Sequence, residues 1–171
     1  MSLQRTAVHW AALLFVLGLA QTGLAGEAVE TLRARAQKGV ADAQYCLGVL
    51  YEAGALLDLP QDHGQAARWF LRASEQGHAN AQISLGHHYA SGLGIPRDDV
   101  LALVWLEIGA AGASGSSRLS AKLTRKKLIP QMSLRQILDA QHKRRAWMTM
   151  QGELSTADSP DAPVLASSES P

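Results

Sequence analysis

The side chains in this sequence best suited to chemistry are the only cysteine, Cys46, and the adjacent histidines His87 and His88. A thiol becomes a strong nucleophile beside a base, but no histidine stands at a sequence-adjacent position that would activate Cys46. On a helix, neighbouring residues point about 100° apart, so His87 and His88 are poorly placed to hold one metal ion. We therefore expect packing or surface histidines, a buried Cys46 and no metal site.

The aspartates are explained by helix starts rather than by catalysis. Asp62 and Asp98 precede helical patterns, where a carboxylate accepts hydrogen bonds from free backbone N–H groups and interacts favourably with the helix dipole. The nucleophile patterns Ser-x-x-Lys, Lys-Thr-Gly and Gly-x-Ser-x-Gly are absent from the sequence. Its glycine-rich pieces lack the rest of a phosphate-binding motif. The sequence thus predicts no catalytic residue, no cofactor and no enzyme.

Composition allows one packed domain or a short repeat array. The 171 residues are 47% hydrophobic, carry a formal net charge of +1 and include one cysteine, which excludes an intrachain disulfide framework. The low net charge argues against a nucleic-acid partner held by bulk electrostatics. The charge is uneven, however, because residues 118–151 carry nine basic side chains and one acid. The simplest interpretation is a solvated basic face, and contact with an anionic membrane surface or an acidic protein is the alternative.

Both ends of the chain differ in composition from its middle. Residues 1–25 have the features of a signal peptide, because Arg5 is followed by an apolar run too short to span a bilayer. Small residues permit cleavage near Ala20 or Ala25, which would place the protein in the periplasm or outside the cell. An uncleaved segment would instead anchor it in the inner membrane. Residues 152–171 hold four acids and no base, and we expect a disordered acidic tail.

An internal repeat decides the fold class. Residues 28–54 align with residues 66–92 at a shift of 38, a period typical of stacked helical units. In each unit a first helix has an apolar face, and a second helix follows an aspartate N-cap. Glycine inside a helix costs about 1 kcal/mol relative to alanine, so Gly48 and Gly86 indicate close contact between helices. The residues expected to build the repeat are Ala43, Leu47, Gly48, Tyr51, Gly54 and Trp69 in the first copy, and Ala81, Leu85, Gly86, Tyr89, Gly92 and Trp105 in the second.

These residues resemble the Sel-like repeat, a tetratricopeptide-like helical hairpin. The stretches AQYCLGVLYEAG and AQISLGHHYASGLGIPRDDVLALVW fit its pattern A-x-x-x-L-G-x-x-Y-x-x-G-x-G-V-x-x-D-x-x-K-A-x-x-W. The resemblance implies an all-α fold, a short right-handed α-solenoid of antiparallel helix hairpins with about two and a half units in residues 26–115. Residues 116–151 would form basic helices interrupted at Pro130. The last of them would cap the solenoid, and Ser133 with Gln136 forms a capping-box pattern at its start.

The resemblance also implies a function. Helical repeats leave a curved surface free for a protein partner, so we expect an exported adaptor or scaffold that binds another envelope protein and no nucleic acid. The expected binding face lies off the core side of the first helices and consists of Tyr45, Val49, Glu52, Ile83, His87 and Ala90. The alternatives are a cell-wall-associated hydrolase or penicillin-binding activity, as in cysteine-rich relatives, and a structural subunit of an envelope complex. The sequence leaves the partner and the oligomeric state open.

Overall fold

The computed structural model of the chain describes residues 26–54 and 59–157, and this part contains helices and no strand. The expected all-α repeat fold is therefore confirmed. A 3₁₀ turn, Ile129–Gln131, separates the last two helices. The helices are α1 (residues 26–37), α2 (Ala41–Ala53), α3 (His63–Glu75), α4 (Ala79–Ser91), α5 (Asp99–Gly112), α6 (Gly115–Leu128) and α7 (Leu134–Ala157).

Each helix from α2 to α5 packs against the next helix along the chain. The pairs α2–α3 and α4–α5 form the two repeat hairpins, and α3 contacts α4 as α5 contacts α6. At the N-terminal end, Leu32 and Ala36 of α1 join a core with Leu47 of α2 and Trp69 of α3. This stepwise stacking is the arrangement of a helical solenoid.

Aspartate and glycine set the ends of the repeat helices. The side chain of Asp62 accepts a hydrogen bond from the Gln65 N–H at 2.9 Å, and Asp98 accepts one from the Leu101 N–H at 2.9 Å. These carboxylates satisfy N–H groups that have no partner within the helix. At the other end, Gly54 closes α2 with φ 65°, a left-handed conformation in which a side chain would be strained.

The glycines inside the first helices lie where the two helices of a hairpin approach most closely. A Cβ atom on Gly48 would lie 2.6 Å from a ring carbon of Phe70, and one on Gly86 would lie 2.8 Å from Cγ of Leu106. Carbon atoms in favourable contact are about 3.5–4.0 Å apart, so no side chain fits at either position. Both glycines therefore permit the tight packing of α2 on α3 and of α4 on α5.

The long C-terminal helix α7 packs mainly against α5. The rings of Trp105 and Trp147 meet edge to face with centroids 5.7 Å apart. The start of α7 is a capping box, in which the Ser133 N–H donates to Gln136 Oε1 at 2.9 Å. Helix α7 continues to Ala157, so the tail expected from residue 152 onward is helical at its beginning.

Several expectations concern residues outside the described part of the chain. The signal peptide and its cleavage sites lie in residues 1–25, and most of the expected tail lies in residues 158–171. In the described part, no helix is both long enough and apolar enough to span a membrane.

Candidate functional site

An open groove of about 280 Å³ runs along helices α2, α4 and α6. Its walls are mostly uncharged polar side chains, which can both donate and accept hydrogen bonds. The lining residues are Tyr45, Asn80, Ile83, Ser84, His87, Ser116, Ser117 and Ser120. We call this surface the polar groove.

The polar groove contains a histidine–serine contact that joins α4 to α6. The Nε2 atom of His87 lies 3.1 Å from Oγ of Ser120. Burial lowers the pKa of His87, which favours the neutral ring and leaves a nitrogen lone pair able to accept the serine proton. A nucleophilic serine also needs a group that orients the base. In the described residues no carboxylate lies within 4.0 Å of His87, and the contact joins α4 to α6.

Helix α2 contributes Tyr45 to one end of the polar groove. Its ring stacks on His78 at the start of α4, with centroids 4.6 Å apart and 25° between planes. His78 caps α4, since its Nδ1 atom accepts a hydrogen bond from the Ala81 N–H at 3.1 Å. Partial burial raises the pKa of the Tyr45 hydroxyl, so it stays protonated near neutral pH and can donate a hydrogen bond. Tyr45 thus combines a packed ring with an available polar tip.

Glu52 and His88 form a separate, more buried pair. The Nδ1 atom of His88 donates to the backbone carbonyl oxygen of Leu93 at 2.7 Å, because a carbonyl can only accept. Its Nε2 atom lies 3.6 Å from Oε1 of Glu52. This contact with His88 is the main reason why the pKa of Glu52 is lowered. The pair connects α2 of the first hairpin to α4 of the second, and neither residue lines the polar groove.

The structure divides the six residues expected to bind a partner. Tyr45 and His87 line the groove, and Val49 is exposed on α2. Ile83 also lies at the groove but is only 4% exposed, because it packs among residues of α5 and α6. The expectation that Ile83 presents a free side chain is therefore wrong. Glu52 pairs with His88 as described, and Ala90 packs against the main core.

Two further expectations concerned groups with metal or thiol chemistry. Cys46 is exposed, so the expected buried thiol is wrong. Its helix buries Ala43 and Leu47 on the side that faces α1 and α3, and Cys46 lies off that side. In the described part of the chain, no three His, Cys, Asp or Glu side chains come together as a metal site would require.

Sequence reasoning missed the contribution of α6 to the groove. Helix α6 has the register of the first helix of a third repeat. Its serines lie 36 positions after residues of α4: Ser116, Ser117 and Ser120 follow Asn80, Ala81 and Ser84. This register could have been found from the repeat length. It was hidden because Ala121 and Lys122 replace the leucine and glycine of the repeat pattern.

Comparison with known proteins identifies the repeats. The Sel1 repeat family model matches residues 41–78 and 79–114, which are the two hairpins of the structure. The chain is similar to a crystal structure of a Sel1 repeat protein from Oxalobacter formigenes, with a TM-score of 0.52 and 34% identity over 56% of this chain and 71% of that one. It is also similar to a protective antigen of uropathogenic Escherichia coli strains that displays an SLR fold. That match has a TM-score of 0.64 and 31% identity, and it covers 72% of this chain and 26% of the antigen.

Two curated proteins from eukaryotes are similar to shorter stretches. The ERAD-associated E3 ubiquitin-protein ligase component HRD3A of Arabidopsis thaliana is 41% identical over 68 residues, which is 40% of this chain and 10% of that protein. The chitin synthase regulator SKT5 of Malassezia restricta is 33% identical over 98 residues, or 57% of this chain and 7% of that protein. The chain therefore spans a tenth or less of these two relatives.

Proposed function

The chain belongs to the Sel1 repeat family, and we propose that it is an exported interaction module whose polar groove binds a segment of another protein. Proteins of this family are usually adaptors or regulators without catalysis. The printed names of the two curated relatives denote a component of a ligase and a regulator of a synthase. In line with these names, we propose that this chain also acts through contact with another protein.

The proposal rests on one observation: side chains of α2, α4 and α6 line the same open polar groove. The hydroxyl, amide and imidazole groups of Ser84, Asn80 and His87 are uncharged donors and acceptors. A peptide backbone offers uncharged N–H and C=O groups. Such side chains can hydrogen-bond to them, so the bound segment does not need to carry a charge of a particular sign. A groove of about 280 Å³ accommodates a few residues of an extended segment rather than a folded surface.

Export is supported by the sequence of residues 1–25. A short apolar run after Arg5, followed by small residues near Ala20 and Ala25, has the organisation of a secretory signal. The partner would then be another protein of the cell envelope or its surroundings. Fractionation of cells that express the full chain tests this part. We expect a shortened chain in the periplasmic or secreted fraction, and a full-length chain in the cytosol would refute export.

The groove is tested by a substitution that fills it. Ser116 is exposed at the wall of the groove, so Ser116→Trp should occupy much of the space without disturbing the core. Ser91→Trp places the same side chain at an exposed site outside the groove and serves as the matched control. Each variant is crosslinked mildly in envelope extract and captured, and its thermal midpoint is measured.

We expect a partner that is recovered with the wild type and with Ser91→Trp and lost with Ser116→Trp at an unchanged thermal midpoint. Equal recovery with all three proteins would refute the groove as the binding site. Failure to recover any specific partner with the wild type would refute the interaction module itself.

A further inference from the structure

Helix α6 carries a second surface on the side turned away from the polar groove. Arg118, Lys122 and Arg125 are spaced four and three residues apart, which places them on one face of a helix. At about 100° per residue, this face is nearly opposite Ser116 and Ser120. The three side chains line a cleft of about 380 Å³ between α5, α6 and α7. We call it the basic cleft.

The basic cleft lies where the repeat pattern predicts a tight helix–helix contact. In the repeat register, Lys122 takes the place of Gly48 and Gly86, the glycines against which the second helix of each hairpin packs. No such close contact forms here, because α7 packs mainly on α5. Helices α6 and α7 thus form the two walls of the cleft, and α5 forms its floor.

The cleft contains more cationic groups than carboxylates. Arg125 Nε lies 2.9 Å from Oε1 of Glu107, and Arg144 Nε lies 3.4 Å from Oε2 of the same carboxylate. Arg118 donates to the backbone carbonyl oxygens of Ala110 and Ala111 at 2.9 and 3.3 Å. The four basic side chains of the lining therefore share a single acid.

Two of these cations retain unused capacity. Within the described part of the chain, no carboxylate lies within 4.0 Å of the Lys122 amine. The Nε atom of Arg144 is buried and has no partner there with hydrogen-bond geometry. The Arg144 side chain as a whole is 36% exposed, so its charge is accessible to a ligand in the cleft although the Nε atom itself is covered.

We propose that the basic cleft binds a short acidic segment of a partner protein, with its carboxylates between α6 and α7. Arginine forks match the geometry of carboxylates, and lysine adds a mobile charge. A volume of about 380 Å³ accommodates a few side chains. Three helices surround the cleft, a shape that fits a peptide better than a flat membrane. Among the residues that the structure describes, no aromatic side chain lines the cleft, as stacking on nucleic-acid bases would require.

This proposal is tested separately from the polar groove, with the full chain and a defined probe. The probe is a dye-labelled peptide of about eight alternating glutamates and alanines, and the control peptide has glutamine in place of glutamate. Binding is followed by fluorescence anisotropy. Lys122→Glu reverses a charge inside the cleft. Lys127→Glu makes the same change at an exposed position of α6 that does not line the cleft.

We expect the glutamate peptide to bind and the glutamine peptide not to bind. Lys122→Glu should weaken binding about fivefold or more, since each exposed ion pair contributes up to about 1 kcal/mol and charge reversal adds repulsion. Lys127→Glu should change binding less than about twofold, because Lys127 lies on the opposite side of α6 from the cleft and its exposed charge is screened by salt. Higher salt should weaken binding to the wild type.

Four results would overturn the proposal. Equal losses in Lys122→Glu and Lys127→Glu would indicate unspecific attraction to a basic helix. Absence of binding of the glutamate peptide would refute the proposed acidic partner. Lys122-dependent binding of anionic vesicles or of single-stranded DNA that is tighter than binding of the peptide would refute it as well. If deletion of residues 158–171 strengthened peptide binding about tenfold, the occupant would be this chain's own acidic segment rather than a partner.

Discussion

The packing of the repeats makes a sharp prediction for Gly86→Ala. In an exposed helix interior this change is favourable by about 1 kcal/mol, because alanine has the higher helix propensity. At Gly86, however, the new Cβ would lie 2.8 Å from Cγ, 3.1 Å from Cδ2 and 3.1 Å from the backbone nitrogen of Leu106. Leu106 is 1% exposed, so its side chain has no free space to move into. The overlap with a backbone atom also requires α4 and α5 to separate slightly.

The magnitude follows from two opposing terms. Overpacking a filled core by one methyl group costs about 1–3 kcal/mol, and contact with both backbone and side chain places Gly86 near the upper end. Subtracting the propensity gain of about 1 kcal/mol leaves a net destabilisation of about 1–2 kcal/mol. For a chain of 171 residues, that corresponds to a fall in Tm of about 2–8 °C.

The assay is thermal and urea unfolding, with Gly152→Ala as the matched control. Gly152 lies in α7 and nothing stands within 4 Å of its added Cβ, so that variant should be neutral or slightly more stable. In a Leu106→Ala background, the penalty of Gly86→Ala should shrink by about 1 kcal/mol or more, because the clashing branch is gone. If Gly86→Ala stabilised the protein as Gly152→Ala does, or if the penalty persisted without the Leu106 branch, the reasoning from close packing would be refuted.

Two further predictions concern Glu52 and Cys46. Glu52→Gln should lower the free energy of unfolding at pH 7 by about 0.5–1 kcal/mol, because Glu52 is partly exposed and its contact with His88 is screened. The folded-state pKa of Glu52 is below its usual 4.5, so this contribution is present above pH 4.5 and is lost as the pH falls through the folded pKa. Unfolding curves of the two proteins should therefore converge as the pH falls through the folded-state pKa of Glu52, and a constant gap would contradict the assignment. Cys46 should react with a thiol reagent in the native protein as fast as a small free thiol does, and Cys46→Ser should change stability by less than about 0.5 kcal/mol. Reaction only in denaturant would show that the thiol is buried.

The hairpins could be predicted from sequence because their contacts depend on residue types that occur in both copies. Gly48 and Gly86 each stand at a point of contact between helices, where the loss of helix propensity has a packing reason. Asp62 and Asp98 fall at helix starts for an equally local reason, the unpaired N–H groups of the first turn. Features that depend only on one helix or one hairpin can therefore be predicted from a single sequence.

The exposure of the first helices could not be predicted in the same way. Periodicity shows which residues share a face, but burial of that face depends on whether another helix covers it. Ile83 is buried because α6 packs on α4, whereas Val49, one turn after the position equivalent to Ile83 on α2, is 38% exposed. The same limit applies to Cys46, whose exposure depends on its neighbours in space rather than on its neighbours along the chain.

The departures from the repeat pattern concentrate on α6, and this helix borders both proposed binding surfaces. In the register of the first helices, α6 has Lys122 at the position of Gly86 and Arg125 at the position of Tyr89. Leu119 and Leu123, at the positions of Ile83 and His87, are 57% and 52% exposed, because no helix in the described part of the chain covers them. A solenoid built only for stability would end in a helix with a polar outer face and a closed inner contact. Helix α6 has exposed leucines on its outer face and an open cleft on its inner side, which is a reason to place function at this end of the array. The Ser116→Trp and Lys122→Glu variants test its two sides independently.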